Sequence, residues 1–223
     1  MQKAVFEAAA GPQILFIEAD KTDIKIRQPP FHHSLAATCR LSRDAYTKNK
    51  ELFRSSCGGN YWVNSRLDIF YFHDDHMPPS HRREPAEAYD RRPMIRNIAV
   101  DFESMGKYPR GPALICLWGL FPSMRELHLF VPSGPPQTPT PPWPMFNLVL
   151  RDLPDKQIIA SPGGGMELWW VVKYHLNKWA AEILSGFKKD GWNRFHPEIN
   201  GYLAEKLFWH DGTVDDGTAD DDI

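Results

Sequence analysis

The sequence predicts an α/β protein of the α+β kind: a mixed sheet of about six to seven short strands, one strand-helix-strand unit and C-terminal helices. Three observations predict it. Short β-rich runs separated by turn chemistry recur between Gln13 and Val131, a helical stretch separates two of those runs near residues 111–120, and an apolar stripe at helical spacing runs from Met166 to Phe187.

Taken in order, Gln13 to Ala19 (QILFIEA) is rich in strand formers, Asp20-Lys21-Thr22 offers turn chemistry, and Asp23 to Arg27 (DIKIR) alternates polar with apolar. The pair reads as a hairpin. Pro29-Pro30 ends its second strand, because proline cannot donate to a ladder and restricts the residue before it. Ser34 then suits a helix N-cap, and Leu35, Thr38, Cys39, Ala45 and Tyr46 share one face of a helix from Leu35 to Lys50. Arg40 and Arg43 stand three apart on that helix. Such a pair serves a phosphate or acidic motif in one reading and pins the helix through a salt bridge in the plainer, preferred one. Cys57 to Asn60 is a turn, and Tyr61-Trp62-Val63 and Leu67 to Phe72 (LDIFYF) are strands around Asn64-Ser65-Arg66. Asp68 enters the second of these, positioned to accept bonds from loop amides or from Arg40 or Arg43.

From His73 to Pro93 the chain turns polar and proline-bearing, which predicts an insertion loop. It opens on His73-Asp74-Asp75-His76, the most metal-like cluster, since imidazole and carboxylate suit zinc or manganese. Consecutive ligands on a loop lack fixed geometry, so a solvated loop is the preferred reading and no metal is expected. Ile95 to Phe102 is a buried strand, Gly111 to Leu120 a short helix and Arg125 to Val131 another strand. That succession implies neighbouring parallel strands, and Leu117 to Leu129 looks like one leucine-rich-repeat-like unit.

Residues 132–165 are proline- and glycine-rich and read as a linker, with Pro141, Pro142 and Trp143 in a stretch suited to an aromatic-lined groove. Ser161 to Gly165 lacks the ending of a phosphate loop and reads as a joint. Trp169, Val172, Leu176, Trp179, Ile183 and Phe187 predict a helix from Met166 to Phe187 that docks on the domain. His196-Pro197-Glu198 opens a second helix to Trp209, and residues 210–223 form a disordered acidic tail. The predicted organisation is a domain over 11–131, a linker over 132–165, a helical segment over 166–209 and the tail.

Hydrophobic residues make up 42% of the 223 and charged residues 24%, as expected of a folding globular chain. A net charge of -2 argues against nucleic acid as a partner. No apolar run approaches the roughly 20 residues that span a bilayer, and no basic segment precedes an apolar one, so an intracellular protein, cytoplasmic or nuclear, is expected. Cys39, Cys57 and Cys116 match neither a disulfide framework nor a zinc pattern.

Pro29-Pro30, Ser34 to Ala45 (SLAATCRLSRDA), Leu67 to Phe72, Ile95 to Asp101 (IRNIAVD) and Phe121 to Leu129 (FPSMRELHL) occur in that order. Together they resemble the two-EXR domain family of filamentous fungi, over Gly11 to Val131. The family is named for two Glu-x-Arg motifs. The first, in an F-box-like helix pair, has no counterpart here, and the second reads Leu41-Ser42-Arg43. The resemblance implies a truncated or diverged member, a compact α/β fold and no established activity.

The functional expectation is a non-enzymatic protein-interaction module without cofactor, whose protein partner the sequence does not name. In it Cys39, Arg40, Arg43 and Asp68 belong to the scaffold. Pro141, Pro142, Trp143, Trp169 and Trp179 meet the partner. The alternatives are an F-box-like ubiquitin-ligase adaptor remnant and a metal-dependent hydrolase using His73, Asp74 and His76 with His32 or His33.

Overall fold

A computed structural model describes residues 12–19, 24–26, 39–54, 60–72, 94–106, 114–115, 117–119, 121–133, 146–160, 165–189, 191 and 194–208. Strand β1 (Ile14–Ala19) turns back into β2 (Ile24–Ile26) as the alternation predicts, with Ile17 opposite Ile26. Helix α1 (Arg40–Thr47) ends where Asn49 adopts φ 61°, a left-handed conformation that asparagine tolerates and that stops a helix. The chain then forms a small separate hairpin, β3 (Glu51–Arg54) with β4 (Asn60–Val63). Strands β5 (Ile69–Phe72) and β6 (Asn97–Asp101), the short helix α2 (Phe102–Gly106) and β7 (Glu126–Pro132) follow. Residues 114–115 and 117–119 are helical, so the strand-helix-strand succession holds.

Seven strands make the main sheet in the order β2-β1-β5-β6-β7-β11-β8, where β8 is Phe146–Asp152 and β11 is Glu198–Phe208. Its five inner strands are mutually parallel, and β2 and β8 close the edges antiparallel. Inner strands of a parallel sheet are covered on both faces and therefore read as continuous apolar runs. β6 (NIAVD) is buried at all five positions. The parallel strands are laid down in chain order without reversal. Open α/β sheets seat ligands in the crevice where strand order reverses, and the described strands offer no such point.

One face carries Leu15, Ile17, Phe70, Phe72, Ile98, Val100, Leu127, Leu129 and Ile199. Against it packs α3 (Trp169–Lys189), which buries Trp169, Val172, Leu176, Ala180 and Leu184, with Trp179, Ile183 and Phe187 half-buried beside them. The helical stripe thus docks as its spacing predicts, on its own chain. Trp169 packs against Gly201 in β11; a Cβ there would sit 2.6 Å from Trp169 Cε2, so glycine is what admits the ring.

The C-terminal third differs from the sequence reading. Glu198–Phe208 is a strand of 11 residues, where a helix was predicted from its proline start. Two empty ladders decide the matter: the segment pairs with β7 on one side and β8 on the other, and hydrogen bonds along both edges outweigh a modest helical preference. For the same reason the predicted linker contains β8 and β9 (Ile158–Ala160), and Met166–Leu168 is strand β10 paired with β9 instead of a first helical turn. Residues 198–208 are therefore central to the sheet and no appended segment. The predicted insertion at 73–93, the Pro141-Pro142-Trp143 stretch and the tail after Phe208 lie outside the described residues. Among the described residues no helix is long and apolar enough to cross a membrane.

Candidate functional site

Asp68 is the hub of the polar structure at the β1–β5 end of the sheet. It is fully buried. Its Oδ1 accepts the Gln13 backbone N–H at 3.1 Å, and its Oδ2 accepts the Asn64 N–H at 2.7 Å and Gln13 Nε2 at 3.1 Å. Gln13 Nε2 also donates to the Trp62 carbonyl at 3.2 Å, so the Gln13 amide ties β4 to the carboxylate that holds the 64–68 loop. Burial pushes the Asp68 carboxyl up, and the bonds from Asn64 and Gln13 together with the nearby Lys50 charge draw it back only in part. The expectation that loop amides satisfy Asp68 is met. Arg40 does not reach it: its side chain is 95% exposed and lies 3.9 Å from Asp44, one turn along the same helix. Arg43 is likewise exposed, and the bonds that Asp68 accepts come from Gln13 and Asn64. The helix is held instead by its buried Ala45 and Tyr46. Cys39 sits exposed immediately before α1.

The braced loop is locked on its other side as well. Asn64 Oδ1 accepts the Arg66 N–H at 3.1 Å, Asn97 Nδ2 donates to the Arg66 carbonyl at 2.9 Å, and the Arg96 N–H donates to the Ser65 carbonyl at 3.3 Å. Between this loop, the end of α1 and the approach to β6 lies a cleft of about 470 Å³, whose walls include Lys50, Glu51, Ser65, Arg66 and Arg96. Lys50 reaches it just past the Asn49 turn, its ammonium 4.0 Å from the centre of the Tyr46 ring. Lys50 Nζ is buried and makes no hydrogen bond. Burial disfavours its charged form and pulls its pKa down, against the opposing pull of Asp68. Sequence reading missed this cleft, because its cations come from three separate segments and no local spacing marks them.

The second face of the sheet carries a different polar group. His128 on β7 is 3% exposed, and neither ring nitrogen makes a hydrogen bond. Its Nε2 stands 3.3 Å from Glu126 Oε2, and its ring lies 5.6 Å from that of Tyr202. Desolvation lowers the imidazole pKa to about 4. Burial, then the Glu198 charge across the ladder, raises Glu126. Nearby, Tyr71 donates to Asp101 Oδ1 at 2.7 Å. Among the described residues no three His, Cys, Asp or Glu side chains are grouped to hold a metal ion. His32, His33 and the His73-Asp74-Asp75-His76 cluster lie outside those residues.

Of the predicted contact residues, Trp169 is 1% exposed and belongs to the core, which corrects its assignment to a partner surface. Trp179 is half-buried against that core. The outward aromatics of α3 are Trp170, 52% exposed, and Tyr174, four residues on. One residue along a helix turns a side chain by about 100°, so the stripe that sends Trp169 inward sends Trp170 out. Compared with known proteins, the chain matches no family model, no curated protein and no solved structure.

Proposed function

We propose that this protein is a non-enzymatic protein-interaction module working inside the cell, and that it takes an extended apolar segment of another protein onto the β9–β10 hairpin. One observation carries the reading. Ile158 pairs with Leu168 and Ala160 with Met166, so these four side chains share a face, and all four are exposed. Ile159, on the opposite face, is buried. Trp170 adds to the apolar surface where the chain enters α3, its backbone N–H donating to the Asp155 carbonyl at 3.1 Å. An apolar, solvent-facing hairpin whose two strands, among the described residues, each pair on one side only suits strand addition, in which backbone bonds give affinity and alternate side chains give selectivity. The resemblance to the two-EXR family, which has no established activity, is compatible with a binding role.

The test places a photo-crosslinking residue at Leu168 and, as a control, at the exposed Lys188, in the native host. The expected result is one protein crosslinked saturably from Leu168 through an apolar segment, absent from Lys188 and abolished by Met166→Lys. Equal yields from both positions would defeat the reading. So would a concentration-dependent dimer of this chain that Met166→Lys dissolves, because the surface would then belong to a second copy.

A further inference from the structure

The cleft beside Asp68 is separate from the hairpin surface and has a chemistry of its own. Lys50, Arg66 and Arg96 line it, and none of the three has a carboxylate within ion-pairing distance among the described residues. Glu51 is the one acid in its wall and Asp68 lies behind Asn64, so three cations face two acids. A buried ammonium with unused donors is costly unless an acceptor reaches it, and Lys50 Nζ is such a group. Guanidinium forks match the oxygens of phosphate in pairs, which a single carboxylate fills less completely. Backbone bonds hold the main chain at Arg66 and Arg96, so both side chains start from fixed points on the cleft wall.

A second pocket of about 200 Å³ adjoins the cleft, sharing Glu51, Ser65 and Met94 with it. Its other walls include Leu52, Phe53, Val63, Phe70 and Ile95. An apolar cavity of roughly 150 Å³ accepts a benzene molecule, so this annex has room for one aromatic ring. A ligand that fills both spaces is anionic at one end and apolar at the other.

We propose that this double pocket binds an aryl phosphate: the phosphate dianion against Lys50, Arg66 and Arg96, and the ring in the apolar annex. The same chemistry comes from a phosphorylated tyrosine side chain or from a free aryl phosphate. The experiment titrates the full chain by calorimetry with phenyl phosphate, inorganic phosphate, phenol and a short phosphotyrosine peptide. Phenyl phosphate is expected to bind at least about tenfold more tightly than inorganic phosphate or phenol, because only it satisfies both ends. Arg66→Gln with Arg96→Gln should weaken it at least about tenfold while leaving the melting temperature in place. The exposed Arg66→Gln alone serves if the double variant unfolds. Tighter binding of the peptide than of phenyl phosphate assigns the site to a phosphorylated protein, and exclusion of the peptide assigns it to a free metabolite. No binding of phenyl phosphate, equal binding of inorganic phosphate, or binding that survives the arginine substitutions would overturn the proposal. None of these outcomes touches the hairpin, so the two readings stand or fall separately.

Discussion

The two faces of the sheet are built by alternate residues of the same strands and obey different rules. On β6 and β7, Ile98, Val100, Leu127 and Leu129 point into an apolar core shared with α3. Between them, Ala99, Asp101, His128 and Phe130 point the other way, into a layer that mixes aromatic rings with polar groups. The first face is held by shape and area. The second holds Tyr71 against both Phe16 and Phe130, at 5.3 and 4.8 Å between ring centres, and ties its hydroxyl to Asp101. Along β6 and β7 the described titratable side chains, Asp101, Glu126 and His128, thus lie on one side of the sheet.

The largest effect expected is on the first face. Trp169→Ala removes a fully buried ring that rests on Gly201 and should cost about 4 kcal/mol in chemical denaturation. A cost under about 1 kcal/mol would mean that α3 does not anchor the sheet. The second face should answer to pH. His128 in the folded chain keeps its neutral form down to about pH 4, whereas the unfolded chain takes up a proton near 6.5. Stability attributable to this residue is therefore complete above 6.5, falls as pH drops to about 4 and levels off below, by up to about 3 kcal/mol. Subtracting the stability curve of His128→Gln from that of the parent isolates the contribution from that of Glu126, which titrates with the opposite sign. A flat difference between pH 4 and 6.5 would refute it. The smallest effect expected is that of Tyr71→Phe, which deletes one bond to Asp101 and leaves the ring packing intact, for about 1 kcal/mol. If instead it matched Trp169→Ala, the second face would depend on its polar bonds more than on its rings.

Elements with a strong local period were legible: the first hairpin, the β6 and β7 strands around a helical stretch, and the stripe of α3. Residues 198–208 were not, because Pro197 and Glu198 carry a helix-start signal and the reason for the strand lies in β7 and β8, distant in sequence. The role of Asp68 was legible in kind, since a lone acid entering a strand after a polar turn asks for amide donors. Its donors Gln13 and Asn64 were half legible, and Arg40 was the wrong partner, being on the solvent side of α1. The cleft left no trace in spacing, because Lys50, Arg66 and Arg96 converge only through the lock between the 64–68 loop and the start of β6.

By itself the amino-acid order determined which stretches are apolar, with which period, and where prolines and turns interrupt them, because those properties act within a few residues of chain. Only the folded chain decided that β11 is a strand between β7 and β8, that Trp169 rests on Gly201, and that three separated cations surround one space. Each of those outcomes depends on hydrogen bonds and contacts between segments far apart in sequence, and the energy of such contacts is set by what the rest of the fold leaves open.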